Sequence, residues 1–383
     1  CRGGGTMSIG LSIPMTFEDD YLDNIIELNN TRTGHAYIKE VYGARREDII
    51  GNLRPSFTLK YISDDNLKKY IARLHKNGIE FNYVINSTVS DGREYTDEGR
   101  KSIVSYVKNL LEMGVDSFTI TSSYYMILLK NHFQNININA SICNEIDNVQ
   151  KAKEFELSGA NVLVLNRDIN RNFKIIKVIK ENTSAELKVL CTTPCVYRCP
   201  DVHYHSNLSS VLSNELQKYL PVDENNSISH TSVKCMLKKL VHLEENIKSP
   251  WIRPEDMKYY EEAGISLFKI DGRDRSAEYN IEVVKAYLNQ SFDGNLLYLM
   301  KPGYPQYLTS IEEGKCTEYL RLGINNRELD DFLEPFIKGN IICDNGCEKC
   351  QYCKRISEKI IYDKEWICDF KKFLFKEIEK RYT

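Results

Sequence analysis

The chain has 383 residues, 51 basic and 54 acidic side chains, a formal charge of −3 and 42% hydrophobic residues. That is the profile of a globular protein with a core large enough to need no disulfide staples. The near-neutral balance excludes bulk electrostatic capture of DNA or of an anionic membrane. No apolar run approaches the roughly eighteen residues of a membrane span, so the sequence predicts a cytoplasmic protein with no membrane partner and no DNA partner.

Residues 1–6, Cys1-Arg-Gly-Gly-Gly-Thr6 before Met7, read as a cloning remnant and are set aside. From there short β-rich apolar runs alternate with helical patterns. The predicted strands are Ile9 to Pro14, Ala36 to Val41, Ile79 to Ile85, Ser117 to Thr121, Ile136 to Ile142, Val162 to Leu165, Leu187 to Leu190 and Ser266 to Ile270. Amphipathic helices are predicted over Asp64 to His75, Gly99 to Met113, Ile146 to Leu157, Phe173 to Glu181 and Ala277 to Leu288. Eight such strands with right-handed crossovers predict an α/β fold, a (β/α)8 TIM-like barrel over residues 7–290. The competing open doubly wound sheet lacks its phosphate fingerprint, because Gly10 stands alone after the first strand.

The unit between the seventh and eighth strands is much longer than the others. Its polar, turn-rich stretch from His203 to Asn226 predicts an insertion, about 200–250, lying over one barrel face. After Leu288 the alternation stops. Residues 291–383 read as an appendage, with loop signals at Lys301-Pro-Gly-Tyr-Pro305, a cysteine cluster, and a last helix from Lys364 to Arg381 that docks through Trp366, Phe370, Phe373 and Ile378.

The 12 cysteines do not suit a bland reading, since a reducing cytoplasm keeps them as thiols and clustered thiols there are metal ligands. Cys343, Cys347, Cys350 and Cys353 fall within eleven polar residues, where thiols have no packing reason to be. Zinc ribbons space two close pairs by a dozen or more residues, whereas separations of two or three wrap a cubane, so a [4Fe-4S] cluster leads and zinc is the alternative. Cys195 and Cys199 follow the seventh strand, and Cys235 lies further on in the same insertion. The carboxyl ends of barrel strands carry the chemistry. These three thiols are therefore candidate ligands of a catalytic cluster, which makes one cluster or two in the chain. Cys191, Cys143 or a tail thiol could supply the fourth ligand, while core packing is the competing reading for Cys191, Cys143, Cys316 and Cys368.

At the eighth strand the chain reads Ser249-Pro-Trp-Ile-Arg253-Pro-Glu-Asp256-Met, then Glu261-Glu-Ala-Gly-Ile-Ser-Leu-Phe-Lys269-Ile-Asp271-Gly-Arg273. This resembles the collagenase-like U-32 peptidase family, with its proline-plus-acidic segment, "EAG" run and "KIxGR" end. Val41-Tyr42-Gly43, Asn86, Ala140-Ser141 and Leu165-Asn166-Arg167-Asp168 agree, spreading the match over roughly residues 8 to 290. Cys195-x3-Cys199-Pro and His205-Ser-Asn207 look like a subgroup with a cysteine-rich tail. The resemblance implies iron-sulfur proteins acting in oxygen-independent hydroxylation of RNA bases or of a quinone ring, some with prephenate as oxygen source. The sequence departs from the longer-spaced cysteine quartet of the RNA-modifying members.

Redox chemistry suits the residues better than hydrolysis, because neither a Gly-x-Ser-x-Gly elbow nor a His-Glu-x-x-His pair occurs. His203 and His205 stand near the Cys195 and Cys199 pair as candidate proton donors or ligands. Lys269, Asp271 and Arg273 alternate and should share the lumen side of the eighth strand. Arg167 and Arg273 are suited to grip a carboxylate or phosphate. The expectation is thus an iron-sulfur oxidoreductase, with Lys269, Asp271 and His205 catalytic and Asn86, Arg167 and Arg273 binding an anionic or aromatic small molecule, peptide or RNA. An electron-donor protein would be its partner. A peptidase with structural metal, or a non-catalytic electron-carrier or scaffold subunit, are the alternatives.

Overall fold

The computed structural model describes residues 9–46, 48–219, 230–300, 322–343 and 346–382. Eight parallel strands close on themselves in sequence order: β1 (Ile9–Pro14), β2 (Ala36–Gly43), β3 (Glu80–Ile85), β4 (Ser117–Ile120), β5 (Asn137–Ala140), β6 (Val162–Val164), β7 (Glu186–Leu190) and β8 (Leu267–Lys269). Pairing of β1 with β8, Ser12 opposite Lys269, completes the barrel. The fold is the predicted (β/α)8 barrel, and all eight carboxyl ends therefore open on one mouth.

Between the strands run α1 (Asp19–Thr31), α2 (Asp64–Lys76), α3 (Asp97–Glu112), α4 (Ser123–His132), α5 (Val149–Leu157) and α6 (Phe173–Glu181). The helices α1 and α4 were not predicted, although α1 buries Tyr21, Leu22, Ile25 and Asn29 at helical spacing. Caps explain the shifted boundaries. Asn148 accepts from the Lys151 amide and starts α5 three residues after Ile146, and Thr96 accepts from the Gly99 amide and starts α3 two residues before Gly99. β5 stops at Ala140, short of Ile142, because Ser141 accepts from the Cys143 amide and turns the chain into a 3-10 helix.

The strands place their apolar residues outward. Ile9, Leu11, Phe81, Phe118, Ile138, Leu163, Leu187 and Phe268 are fully buried beneath the helices. The lumen is polar instead. Glu40 on β2 meets Lys188 on β7 across the barrel, Oε1 to Nζ at 2.7 Å, and both are nearly inaccessible. Ser12 donates to the same carboxylate at 2.5 Å, Lys188 donates to Asn139 at 2.7 Å, and Thr119 donates to Asn82 at 2.7 Å. The salt bridge with Lys188 outweighs burial and keeps Glu40 below the usual carboxylate range. Gly10 is required in this interior, since a Cβ there would stand 2.8 Å from Leu267.

After β7 the insertion is helical rather than a polar excursion: α7 (Val202–Val211), α8 (His230–Val241), α9 (Glu244–Lys248) and α10 (Met257–Glu262), before β8 and α11 (Ala277–Leu288). Thr88 in the β3 to α3 connection donates to Asn207 at 2.7 Å, which ties α7 over the mouth. Residues 220–226 of the predicted excursion, the 301–305 loop signal and Cys316 lie outside the described residues. In the tail a two-stranded antiparallel ribbon pairs β9 (Leu322–Gly323) with β10 (Ile361–Tyr362). The C-terminal helix (Lys364–Tyr382) packs along α8 with Ile367, Phe370 and Leu374 buried and Trp366, Phe373 and Ile378 against the core.

Among the described residues no helix is long and apolar enough to cross a membrane.

Removing one partner of the lumen pair leaves the other charge buried. Lys188→Met should cost about 3–5 kcal/mol in a denaturant melt. Adding Glu40→Gln should recover most of that loss, and equal melts for the single and double variants would show that the pair does not organise the barrel.

Candidate active site at the barrel mouth

The mouth is assembled by strand ends and the loops that leave them. Lys269 ends β8 and lies over the face of Tyr42 from β2, its Nζ 3.8 Å from the ring centroid. Burial, with Lys188 below and Arg273 beside it, pulls the Lys269 amine down to about 7. Among the described residues no carboxylate forms a salt bridge with it. Asp271 is engaged by Arg54 instead, Nη2 lying 2.8 and 2.9 Å from its two oxygens, so the two predicted catalytic groups of this trio do not pair with each other.

Arg54 is the functional candidate that sequence reasoning missed. It sits in the β2 to α2 loop, with 217 positions between it and its partner, and nothing local marks it. Arg273 is buried, donates to the Asn52 side chain at 3.1 Å and its backbone carbonyl at 2.7 Å, and also neighbours Tyr42. Burial and Arg54 lower its guanidinium to about 10. The Nε atoms of both Arg54 and Arg273 are buried without a hydrogen-bond partner, that of Arg54 lying 3.9 Å from Asp274. Gly272 between the charged residues needs its missing side chain: a Cβ would meet Asn280 Oδ1 at 2.1 Å, whose amide donates to the Gly272 carbonyl at 3.0 Å.

Asn86, just past β3, donates to Ser141 at 3.0 Å and keeps its buried Oδ1 without a partner. Arg167 stands in a 3-10 turn (Arg167–Ile169) after β6, where the thiol of Cys195 is the largest influence on it and raises its value, with Asp168, Cys143 and Glu145 in support. Cys195 and Cys199 lie in the loop from β7, and Cys235 comes in from α8. The three are electrostatic neighbours of one another, and burial pushes Cys199 and Cys235 up. Lys239, one turn along α8 from Cys235, is held down by burial, feels Cys235 and Cys195, and donates to the Pro194 carbonyl.

His205 is exposed on α7, yet the surrounding protein and the guanidinium groups of Arg54 and Arg167 hold it below the usual imidazole value. His203 points away, 75% exposed and 3.5 Å from Glu145. Cys191 is fully buried at the end of β7, its amide donating to the Lys269 carbonyl at 2.8 Å, and burial alone raises its thiol strongly. It is a core thiol. Cys143 is partly buried, within the influence of Arg167 and Lys269, and Cys368 is exposed.

The tail cysteines form a separate group. Cys343, Cys347, Cys350 and Cys353 line one cavity of about 230 Å³ with Lys248, Phe336, Ile341 and Tyr352. Burial pushes Cys343 up to about 11. A larger cavity of about 910 Å³ lies to the side of the mouth, lined by Arg45, Asp48, Tyr106 and Lys218, and includes no thiol. Among the described residues no three His, Cys, Asp or Glu side chains meet closely enough to hold a single ion.

Because Lys269 titrates near 7 in the fold and at 10.5 when unperturbed, the unfolded chain binds more protons between those values, and stability rises with pH across that window. Lys269→Met should flatten this rise and, with Asp271 still held by Arg54, cost less than about 1 kcal/mol at pH 7. Urea melts at pH 7 and pH 10 measure both quantities. A loss near 3 kcal/mol at pH 7 would make the lysine a structural counter-charge.

Comparison with known proteins fits this architecture. The family model described as Peptidase family U32 matches residues 38–216. "Uncharacterized protease MJ1657" of Methanocaldococcus jannaschii is 32% identical over 297 residues, 78% of this chain and 82% of that protein. Among solved structures, that of the U32 peptidase Mk0906 superposes with a TM-score of 0.51 at 17% identity, covering 71% of this chain and 96% of the other. The chain belongs to the U32 peptidase family.

Proposed function

We propose that the protein is an iron-sulfur enzyme that modifies an anionic or aromatic substrate by an oxygen-independent redox reaction, hydroxylation being the leading type. The observation that carries this reading is the convergence of Cys195, Cys199 and Cys235, from a strand-end loop and an inserted helix, at a mouth ringed by Arg54, Arg167, Lys269 and Arg273. The residues present fit a [4Fe-4S] cluster. Its cysteines each bind a different iron, so the thiols need not meet at one point, and Arg167 and Lys239 offset the thiolates' charge.

Such a cluster, when bound, supplies one-electron chemistry and, with three protein thiolates, an iron open to an outside ligand. The chain's own groups do the remaining work. Arg273 has a buried Nε without a hydrogen-bond partner for an anionic ligand, and its guanidinium fork suits a carboxylate or phosphate. Lys269, near 7, can hold or release a proton at its amine at neutral pH, and His205 is the second proton carrier. The substrate is a small molecule or a peptide or RNA bearing such a group, and reducing equivalents come from an electron-donor protein.

The peptidase reading rests on the family's name and on that of the archaeal relative. It finds less support in the side chains: His205 lies in the field of the Arg54 and Arg167 guanidinium groups, and His203, 3.5 Å from Glu145, is 75% exposed.

Iron and sulfide analysis of anaerobically purified protein tests the proposal. Cys199→Ser should bleach the mouth cluster while Cys191→Ser leaves it intact, since Cys191 is enclosed in the core. Colourless protein that cleaves peptides, or equal bleaching in both variants, would overturn it.

A further inference from the structure

The four tail thiols lie outside residues 38–216 matched by the family model, and the mouth chemistry does not use them. Cys347 and Cys350 are the two ends of a one-turn helix (Cys347–Cys350). Gln351, with φ at 55°, then turns the chain so that Cys353 in the next helix (Tyr352–Ser357) comes back to the same cavity. Cys343 closes the ring from the other side. All four thiols share one cavity without three of them meeting tightly enough for a single ion. A centre with one metal per thiolate suits that arrangement. The separations of three, two and two residues are short enough for successive thiolates to reach different irons of one cubane.

A second, independent feature points to an anionic occupant. Arg171, just past the Arg167–Ile169 turn and 8% exposed, donates to the carbonyls of Ile247 and Ser249 at 2.7 Å and lies over the rings of Trp251 and Phe332 at 4.8 Å. Its Nη1 is 3.9 Å from Cys353 Sγ. Among the described residues no carboxylate forms a salt bridge with it, and its Nε is buried without a partner. A buried guanidinium with only ring faces and carbonyl dipoles around it is costly. An adjacent metal centre carrying four thiolates would balance it, with Lys248, itself paired with Glu245 at 2.8 Å, at the cavity wall.

We propose that Cys343, Cys347, Cys350 and Cys353 hold a [4Fe-4S] cluster of their own, and that Arg171 is the cation that compensates it and raises its reduction potential. The inference does not depend on the mouth cluster. Reduction adds one electron, which makes the centre more negative, so a fixed cation beside it favours the reduced state.

The test uses the full chain, reconstituted anaerobically with ferrous iron and sulfide. Cys347→Ser with Cys350→Ser should lower the content by about four irons and four sulfides per chain, with unchanged circular dichroism. Conversely, serine at Cys195, Cys199 and Cys235 together should leave about that amount, along with a paramagnetic signal on reduction by dithionite. Failure of the first arm overturns the tail cluster, whereas a triple mouth variant that keeps all the iron of the unsubstituted protein overturns the mouth cluster alone. Stoichiometric zinc in place of iron and sulfide, lost with the tail cysteines, would also overturn the proposal. For Arg171, the midpoint potential of the tail centre should fall in Arg171→Gln and be restored in Arg171→Lys. Lys248→Gln, at a partly exposed site, should give a smaller fall in the same direction and serves where Arg171→Gln does not fold. Potentials unchanged by loss of either charge would remove the compensating role.

Discussion

The Glu40 to Lys188 pair is the constraint around which the rest of the barrel is arranged. Two ions removed from water are stable only if each is paired and hydrogen-bonded, and here Ser12, Asn82 and Asn139 complete the shell from three other strands. The strands must therefore register so that these side chains reach the lumen centre, and the apolar residues between them are forced outward onto the helices. The hydrophobic core is an annulus, and the barrel axis is polar.

That polar axis reaches the mouth. Lys188 is two residues before Leu190, which pairs with Lys269, so the two ammonium groups approach one another along neighbouring strands. Lys188 is satisfied by Glu40 and by Asn139. Lys269 has the aromatic face of Tyr42 in place of a salt bridge, and is the amine that yields its proton. Arg273 is weakened for a similar reason, since Arg54 has taken Asp271 and Asp274 as its own partners. The mouth thus gathers cationic side chains beside the thiols, an arrangement that suits thiolates and an anionic ligand together.

The parts legible in the sequence were those with a local signature. Alternating apolar strands fixed the eight-fold repeat, and Cys195, Cys199, Lys269 and Arg273 stood at the ends of predicted strands, where the barrel must bring them together. The lumen pair was not legible, because Glu40 and Lys188 are 148 positions apart and each looks like an ordinary polar residue of a half-exposed strand. A faint signal existed in the matching polar positions Ser12, Asn82, Thr119 and Asn139, all of which share the inward phase. Arg54, Lys239 and Arg171 had no such signal: their roles depend on loops meeting across the mouth or on the tail meeting the barrel. The polar reading of the insertion missed α7, whose single fully buried residue is Ser210.

The Arg253-Pro-Glu-Asp256 segment before β8 has a structural task. Arg253 holds Asp256 with two hydrogen bonds, at 2.8 and 2.9 Å, and also reaches the Asn326 carbonyl and Asp330. Glu255 accepts from the Phe292 amide and the Asn326 side chain. These bonds clasp the tail to the barrel just before β8, while Arg171 and the stacked rings of Phe332 and Tyr352 clasp it at α9. The tail is consequently seated at several points on elements that also frame the mouth, and the C-terminal helix lies on α8, the helix that carries Cys235. An ion-paired clasp of this kind, buried in Arg253 and Asp256, gives the tail a fixed position. Seated in this way, four thiols can line one cavity in a segment otherwise too short and polar to fold by itself.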